Sequence, residues 1–498
     1  MKFSKKIKKK AVKGFFAILI LIALISPKVG HISETQSLFG HGSHLPVIQR
    51  NTNKIHSAVS PTVSFESHLP ILIQGNEDFQ IQSTTENWSG DGSAASPYII
   101  EELGIVGGAY AISIVNTTVF FDVRYCRLEG AMDGIRLENS LNAHIYNNTV
   151  TQNLGYGIYV QDSHNITINS NMITENAADG IFQLRTGTTR TTDNILLDNA
   201  GYGISLESVV TSIIAENIIN HSSEGGIRIA HSYNNAVSDN VFTHNSKYGV
   251  ALLSSESNLF SNNLLTANEW GIFMEYSIAN TISNNSITDS IQNGVIGLSS
   301  GDNIIIYNAI NSNRASGIFL LASGNTTIAK NNLTDNDGNG IFLSSSSECS
   351  IMFNLIVNNS GSGLGIDTTS RCIISGNAFR GNYDRGIALS SSHNNSVIWN
   401  DFIENNPNGT SQAYDDGNNN YIAYNYWSDW TSPDINLDGL VDRPYLIEGG
   451  TINHDYFPRT SSTQKPSDGI PSHFFPTMIL ILGILGALGL SIHRQSRK

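Results

Sequence analysis

The chain has 498 residues, with 42 acidic and 28 basic side chains, a formal net charge of −14 and a pI near 5.4. Because 14% of the residues are charged and 40% are apolar, the composition excludes disorder driven by charge, and three cysteines exclude a disulfide-dense scaffold. Seven lysines lie between Lys2 and Lys13, so the rest of the chain is still more acidic, and nucleic acid is not an expected partner because phosphate binding needs Lys and Arg.

The N-terminal segment is typical of export. An uncharged apolar run from Phe15 to Ile25 follows the lysine cluster, which predicts a signal peptide or an N-terminal anchor over residues 1–30. We expect a segment with little structure over 31–70, and an N-terminal cap with the first coils of a repeat over 71–125.

A single short repeat then governs the sequence. A glycine followed by Ile, Val or Leu recurs at Gly134, Gly157, Gly180, Gly203, Gly226, Gly249, Gly271, Gly294, Gly317, Gly340, Gly363 and Gly386. The intervals in this series are equal except for the one from Gly249 to Gly271, which is shorter by one position. A fixed period of about 23 residues predicts a solenoid.

Apolar columns within each repeat alternate with period two and favour β-branched residues, which indicates short strands; one of these columns is broken by Thr191. Another column is entirely asparagine: Asn148, Asn171, Asn194, Asn217, Asn240, Asn262, Asn285, Asn308, Asn331, Asn354, Asn377 and Asn400. Asparagine accepts left-handed backbone at turns, and stacked asparagines also hydrogen-bond to each other. Both roles are open, and each repeat is interpreted as one coil of strands that turns at Asn and Gly.

The fold class predicted from these columns is all-β, a right-handed parallel β-helix solenoid of about 12–13 coils over residues 126–425, stacked about 4.8 Å apart. A leucine-rich repeat has an overlapping period, but it needs a Leu-rich consensus with a helical return segment, and no stretch here has helical periodicity. A C-terminal cap is expected over 426–460.

Cys349 and Cys372 are one full repeat apart in the same column, so they should lie on adjacent coils within the Cα separations of a disulfide. A disulfide in an exported protein and a reduced, packed pair are both consistent with this spacing. Cys126 stands alone.

The C-terminal region predicts a membrane anchor. After a linker over 461–473, the run from Phe474 to Ile492 is uncharged and long enough, at about 28 Å as a helix, to cross the hydrocarbon core. The basic tail 493–498 would stay in the cytoplasm, which places the rest of the chain outside, anchored in the cell membrane. The alternative is a buried core helix.

A motif in the C-terminal cap has the oxygen ligands that Ca²⁺ prefers. Asp434, Asn436, Asp438 and Asp442 alternate in one loop, and Gly439 permits a sharp turn. Tyr445 stands where an EF-hand has its Glu, so we expect a structural Ca²⁺ loop and not a helix–loop–helix sensor. A polar surface turn is the alternative.

Two further columns are candidate sites. Glu175, Asp198, His221 and His244 fall on four consecutive coils and could bind a divalent metal, although most of their column is polar, as at any solvated turn. Aromatic residues two positions after the glycine should point outward and could stack on sugar rings: Tyr159, Phe182, Phe273, Phe319 and Phe342. Tyr156, Tyr202, Tyr248 and Trp270 precede the glycine on nearby coils. Loops, residues 31–70 or a second copy could instead cover this face.

Evidence for catalysis is weaker. Glycoside cleavage needs two carboxylates at a defined separation. Near an end of the repeat, Asp415 and Asp416 are the one candidate pair. No basic residue is evident on a neighbouring column to serve a lyase.

The flanks of the repeat carry a family resemblance. GDGSAASPYIIE precedes the coils at Gly90, and AYDDGNNNYIAYNYWSDW follows them from Ala413, before DINLDGLVDRPYLIEGG. Together with the repeats, these segments resemble the NosD-like family of exported β-helices, over about residues 71–460. The resemblance implies carbohydrate-binding and sugar-hydrolysis repeats, or assistance in copper-site maturation, although no Cys/Met/His cluster of the kind that favours copper is evident.

The sequence therefore predicts a membrane-anchored surface β-helix that binds polysaccharide or envelope components or acts as a structural display rod. The alternatives are a polysaccharide lyase, hydrolase or epimerase, and a NosD-like metal-site maturation factor.

Overall fold

The computed structural model describes residues 65–450 and 453–463, and they form a parallel β-solenoid. Each coil contributes one strand to each of three sheets, which we number 1 to 3 in the order in which the chain visits them after the repeat glycine. Strands in each sheet pair parallel and in register with the next coil, as Ile158 pairs with Ile181 and Ile181 with Ile204. Equivalent side chains therefore stack on each other through the core.

Sheet 1 has 15 strands. They are Ile71–Gln74, Tyr110–Val115, Asp133–Glu138, Ile158–Gln161, Ile181–Leu184, Tyr202–Glu207, Gly225–Ala230, Tyr248–Leu253, Trp270–Glu275, Val295–Leu298, Ile318–Leu321, Ile341–Ser344, Leu364–Asp367, Ile387–Ser390 and Ala413–Asp415.

Sheet 2 also has 15 strands. They are Tyr98–Glu101, Phe121–Arg124, Ala143–Tyr146, Thr167–Asn169, Arg190–Thr192, Ile213–Ala215, Ala236–Ser238, Leu259–Ser261, Thr281–Ser283, Ile304–Ile306, Thr327–Ala329, Ser350–Met352, Ile373–Ser375, Ser396–Ile398 and Tyr421–Ala423.

Sheet 3 has 16 strands. They are Glu66–His68, Leu103–Val106, Arg127–Glu129, Thr149–Thr151, Met172–Thr174, Ile195–Leu197, Ile218–Asn220, Val241–Thr243, Leu264–Thr266, Ser286–Thr288, Ala309–Asn311, Asn332–Thr334, Leu355–Val357, Ala378–Arg380, Asp401–Ile403 and Tyr426–Trp427.

The predicted parallel β-solenoid with a 23-residue period is confirmed, and it completes about fourteen turns, slightly more than the sequence repeat indicated. The additional turns come from the N-terminal side, where strands begin at Glu66 and the glycine period is not yet visible. The strand Glu66–His68 lies within the segment 31–70 that was expected to have little structure.

The asparagine column forms one continuous hydrogen-bonded ladder inside the turn between sheets 2 and 3. In the coil of Asn171, the amide oxygen accepts from the backbone and side-chain nitrogens of Asn148 at 3.1 and 3.0 Å. The side-chain nitrogen of Asn171 donates to Ile145 O and to Asn194 Oδ1. The same link continues coil by coil to Asn425, whose amide donates to the Asp455 carboxylate at 3.1 Å. Of the two roles left open by the sequence, stacking is therefore the one that the structure shows.

Left-handed backbone belongs to the residue before each ladder asparagine. That position is occupied by residues as different as Asp193, Tyr307 and Trp399, all with φ near 60°. In the shorter coil the predicted ladder residue, Asn262, was wrong by one position. Asn262 takes the left-handed position, and Asn263 takes the ladder position between Asn240 and Asn285. The missing residue lies further along that coil, just before Trp270, so the repeat glycine alone could not locate it.

The repeat glycines do not turn the chain, contrary to the interpretation from the sequence. They begin the sheet 1 strands with ordinary backbone, and a Cβ on Gly180 would lie 2.8 Å from Gly203 O and 2.7 Å from a Leu196 methyl. Glycine is required because the next coil leaves no room for a side chain.

Both ends of the core are covered. At the N-terminal end the helix α1 (Gly75–Thr85) buries Phe79, which stacks on Tyr98 at 4.9 Å. This helix was not predicted, because it buries little besides Phe79 and so lacks a clear apolar stripe. At the other end an antiparallel hairpin (Tyr445–Ile447 and Asn453–Asp455) places Tyr445 against Trp427 at 4.1 Å.

The exception in the apolar columns has a partner inside the core. Thr191 accepts a hydrogen bond of 2.8 Å from Gln183. Gln183 is fully buried, and the equivalent residues on the two adjacent coils are aliphatic. Gln183 Oε1 in turn accepts from the Thr189 hydroxyl at 2.7 Å. The polar residue at 191 is therefore paired, as a buried polar group must be.

The predicted signal segment 1–30, most of 31–70, the end of the linker 461–473, the helix 474–492 and the tail 493–498 lie outside the described residues. Within residues 65–450 and 453–463, no helix is long and apolar enough to cross a membrane.

We expect Asn331→Ala to lower the free energy of unfolding by about 3 kcal/mol, because it leaves buried partners on both neighbouring coils unpaired. The adjacent Asn332 is exposed on sheet 3 and provides the matched control, for which Asn332→Ala should change the stability by less than about 0.5 kcal/mol. Urea unfolding of the two variants measures the difference, and equal midpoints would contradict a stabilising role for the ladder.

Candidate functional site

The outer face of sheet 1 carries a row of aromatic residues. Alternate residues of its strands point into the core, so the position two residues after the repeat glycine points out. In coil order this outer column reads Arg136, Tyr159, Phe182, Ser205, Arg228, Ala251, Phe273, Ile296, Phe319 and Phe342.

The predicted aromatic row therefore lies on one face, and four of its five members are partly exposed. Tyr159 is the exception at 8% exposure, because the Arg136 guanidinium lies 4.3 Å above its ring and Phe182 stacks beside it at 5.6 Å. Its ring is already covered by the protein's own side chains.

The aromatic residues form two patches separated by small and polar side chains. The first patch is Tyr156, Tyr159 and Phe182, and its Tyr156 and Phe182 rings are 5.0 Å apart. The second patch is Tyr248, Trp270 and Phe273, with ring separations of 5.4 Å for Tyr248–Trp270 and 4.9 Å for Tyr248–Phe273. Phe319 and Phe342 form a further stacked pair, 5.5 Å apart, closer to the C-terminal end.

Between the two patches lies a central gap formed by Tyr202, Ser205, Gly225, Arg228 and Ala251, in which the Tyr202 ring lies over Gly225, 2.9 Å from where an added Cβ would be. At about 4.8 Å per coil, the five steps from Tyr159 to Phe273 span about 24 Å. Arg228 in the gap is held by Glu207 at 2.7 Å and donates to the Ser205 hydroxyl at 3.3 Å. The gap is therefore lined by small and polar side chains and one tyrosine, between two patches that are aromatic throughout.

Asp179 lies at the edge of this gap, in the column that precedes the repeat glycine. Its Oδ1 accepts a hydrogen bond from Tyr202 N at 2.7 Å. Burial raises the pKa of the Asp179 carboxyl from 3.8 to about 6, and burial likewise raises the pKa of the Tyr202 phenol to about 12. A carboxyl that titrates near neutrality is suited to proton transfer.

Asp179 also has a structural role that does not require a charge. Asn293 and Asn339 occupy the same position on later coils, and each accepts from the backbone N–H of the next coil, at 2.9 and 2.8 Å. Asparagine therefore supports the coil equally well, which separates the structural role of this position from any chemistry of the carboxyl.

The predicted metal column forms a line of exposed side chains on successive coils. Glu175, Asp198, His221 and His244 all have left-handed backbone, and the two imidazole rings stack 5.4 Å apart. Among the residues that the structure describes, no three or more His, Cys, Asp or Glu side chains are grouped to hold a metal ion. Metal binding by this column stays a prediction.

The side chains of the Asp-rich loop bond mainly to the loop itself. Asp434 accepts from the backbone N–H groups of Asp438 and Gly439 at 3.2 and 3.1 Å, and Asp442 accepts from Ile435 N. Gly439 has φ of +85°, which suits glycine at this turn. In this arrangement the oxygen ligands do not converge, and Ca²⁺ would have to exchange some of these hydrogen bonds for metal contacts.

The Asp415–Asp416 pair is built into the cap. Asp415 is fully buried and accepts from Gly417 N, Asn420 and Asn453, so it supports the C-terminal hairpin.

The basic residues missed in the sequence are Arg136 and Arg228, which share the outer column with the aromatic row. Arg136 and Arg228 would have been found if every residue two positions after the repeat glycine had been considered, and not the aromatic residues alone.

We expect Asp179→Asn to raise the free energy of unfolding at pH 7 by about 1–3 kcal/mol. The folded carboxyl keeps its proton up to about pH 6 and the unfolded one releases it near 3.8, so the wild-type protein loses stability as the pH rises between these values. Urea unfolding of both proteins from pH 4 to pH 7 measures this, and the difference should vanish at the acid end. A constant difference would show that the carboxyl does not titrate as described.

Among solved structures, the chain is similar to a mannuronan C-5 epimerase A-module from Azotobacter vinelandii, with 14% identity and a TM-score of 0.46 over 60% of this chain and 90% of that one. A periplasmic alginate epimerase has 13% identity and a TM-score of 0.39 over 72% and 85% of the two chains. The Dettilon tailspike protein has 16% identity and a TM-score of 0.35 over 64% and 62%. At these values the similarity carries no argument about activity.

No curated protein matches the chain, but two family models do. A model described as "Right handed beta helix region" matches residues 110–265 and 270–426, and one described as "Periplasmic copper-binding protein (NosD)" matches residues 209–328. The first covers more than half of the chain and the second lies within it, so the chain belongs to the right-handed parallel β-helix family of NosD-like proteins.

Proposed function

We propose that the outer face of sheet 1 binds a polysaccharide strand along the solenoid axis. The observation that carries this proposal is the pair of aromatic patches separated by the gap on one face of in-register strands. Sugar rings present apolar faces and hydroxyl edges, which match aromatic patches and a gap lined by Ser205 and Arg228. A span of about 24 Å accommodates a chain of several sugar units and not a single one.

The charges on this face favour a neutral polysaccharide. Arg136 pairs with Asp133 at 3.1 Å and with Glu138, Arg228 pairs with Glu207 at 2.7 Å, and Lys247 pairs with Glu224 at 2.6 Å. Because each cation already has a carboxylate partner, the face offers no surplus positive charge for a polyanion. Recognition then depends on stacking and on hydrogen bonds to hydroxyl groups.

A carbohydrate-active enzyme that uses the same face is the second candidate, and Asp179 is the observation that favours it. Its carboxyl has a pKa of about 6 and lies beside the Tyr202 backbone at the edge of the gap. Asp179→Asn should keep binding and abolish any release of oligosaccharides, since Asn fills the same structural position on other coils. Release that is equal in both proteins would remove Asp179 from the chemistry.

An extracytoplasmic location supports both candidates, and the family description "periplasmic" suggests it. We further infer that residues 1–30 direct export and that 474–492 anchor the chain in the membrane, on the basis of their sequences alone. A role in copper handling follows from the family description only, and no grouping of ligands in the described residues adds to it.

Phe273→Ala should weaken retention on an immobilised neutral polysaccharide about tenfold, because it removes the centre of the second patch. Tyr421→Ala, which removes an aromatic residue that is 55% exposed on sheet 2, is the matched control and should bind as the wild-type protein does. Affinity electrophoresis with neutral and uronic-acid polysaccharides measures both. Equal losses in the two variants, or no retention of the wild-type protein, would contradict the proposed face.

We also propose that the loop of Asp434, Asn436, Asp438 and Asp442 binds Ca²⁺ as a structural ion, since its oxygen ligands suit a hard cation. Millimolar Ca²⁺ should then raise the Tm of the wild-type protein by a few degrees, and chelator should reverse the shift. In Asp438→Ala the shift should disappear, whereas the surface control Asp302→Ala should retain it. Calorimetry with Ca²⁺ and with Mg²⁺ distinguishes a specific site from general screening of an acidic surface.

A further inference from the structure

A pair of thiols inside the solenoid is accounted for neither by the fold nor by the proposed face. Cys349 immediately precedes the strand Ser350–Met352, and Cys372 immediately precedes Ile373–Ser375 on the next coil. The side chains are 0% and 1% exposed, and both cysteines are free thiols in the structure.

These cysteines interrupt a second side-chain ladder, at the turn between sheets 1 and 2. Asparagine amides link Asn235 to Asn258, Asn258 to Asn280 and Asn280 to Asn303 at 3.1 to 3.3 Å. The same column then carries Thr326, Cys349 and Cys372, and the amide link resumes with Asn395 and Asn420 at 3.2 Å. The column therefore has no side-chain amide link between Cys349 and Cys372, whereas Cys372 N donates to Asn395 Oδ1 on the next coil at 2.9 Å.

The two thiols are aligned on each other. Ile373 N donates to Cys349 O at 3.0 Å, which holds the two coils in register at the cysteine positions. Both sulfur atoms approach the same carbonyl oxygen, that of Ser346, at 3.2 Å for Cys349 and 3.7 Å for Cys372. Interaction with the Cys349 thiol, together with burial, raises the pKa of the Cys372 thiol.

The backbone geometry suits a covalent bond. Adjacent strands lie about 4.8 Å apart, and disulfide-bonded cysteines have Cα atoms about 4.4–6.8 Å apart. The Cβ atoms of a disulfide lie about 3.5–4.5 Å apart, so closing the bond from the strand spacing draws the two Cβ atoms together by about 0.3–1.3 Å. On the outer surface, Arg371 and Glu348 of the same two coils form an ion pair at 2.7 Å, which supports the same alignment.

We propose that Cys349 and Cys372 form an inter-coil disulfide when the chain folds in an oxidising compartment. The two S–H bonds break, one S–S bond forms, and two protons and two electrons leave. The electrons reduce the disulfide of a thiol–disulfide oxidoreductase, or of oxidised glutathione, to two thiols. The bond replaces the amide link that is absent from these coils.

The proposal rests on export, which belongs to the proposed function, but it does not depend on carbohydrate binding. Cys126 is an internal reference, since it is buried on a distant coil and its burial raises its thiol pKa to about 11. It has no cysteine on a neighbouring coil, so it should stay reduced while the pair is oxidised.

The test is to produce the full chain in an oxidising secretory compartment and, in parallel, in a reducing cytoplasm. The thiols are trapped by alkylation after acid quenching and denaturation, and the labels are counted by mass spectrometry. We expect one labelled cysteine, Cys126, in the oxidised sample, three in the reduced sample, and a cross-linked peptide that joins Cys349 to Cys372. Three labels in both samples, or a bridge that includes Cys126, would overturn the proposal.

A stability measurement keeps the test independent of the labelling. Reductant should accelerate unfolding of the oxidised wild-type chain about tenfold or more, because the cross-link restrains the unfolded coils. In Cys349→Thr, which copies the residue at position 326 of the same column, reductant should have no effect. The same reductant response in both proteins would show that no bond links the two coils. Carbohydrate retention, measured in parallel, reports on the binding face alone.

Discussion

One hydrogen-bonded column of asparagine side chains sets the geometry of the whole solenoid. Each amide both accepts from the coil before and donates to the coil after, at close to 3.0 Å from Asn148 to Asn425. No member can be removed without leaving buried polar groups unpaired on two coils, so every coil must keep the same register. The ladder ends on a carboxylate, Asp455, which accepts from Asn425 and from the Trp427 indole at 3.1 Å. The C-terminal cap is therefore bonded directly to the element that orders the repeat.

Glycine imposes the second constraint. Where the chain enters sheet 1, the next coil's carbonyl and an aliphatic side chain lie within 3 Å of any added Cβ, as at Gly180. The ladder and the glycine occupy two corners of every coil, and the glycine corner also carries asparagine links such as Asn153 to Asn176 at 2.9 Å. At the third corner, between sheets 1 and 2, one column is serine or threonine on most coils, as in Ser232 and Ser255, whereas another column varies. That corner carries the second ladder, which tolerates Thr326, Cys349 and Cys372 in place of asparagine. The tolerance explains how two cysteines came to face each other without disturbing the fold.

The period in the sequence was enough to predict the solenoid and its strands, because equivalent side chains stack on each other from coil to coil and therefore recur at a fixed interval in the chain. Features that occur once could not be read in this way. Helix α1 contributes a single large core residue, Phe79, so its amphipathic signal is weak. Asn262 was predicted in place of Asn263 because the missing residue lies after the ladder position of that coil. The glycine period alone does not show where within a coil a residue is missing. The partnership of Gln183 and Thr191 joins two columns that a period treats separately.

The candidate site lies where these constraints are absent. Residues of the outer column on sheet 1 lie outside the core, where they contact side chains of the same and neighbouring coils and the solvent, so the fold accepts Arg136, Phe182, Ser205 or Ala251 there. Such freedom means that the alternation of aromatic patches and a polar gap is not required for folding. The same reasoning applies to Asp179, since Asn293 and Asn339 show that the fold needs only an acceptor at that position. A half-buried carboxylate with a raised pKa lowers stability at neutral pH relative to an amide, and Asp133, which accepts from Tyr156 N in the same column, shows that the repeat also admits an aspartate at this position.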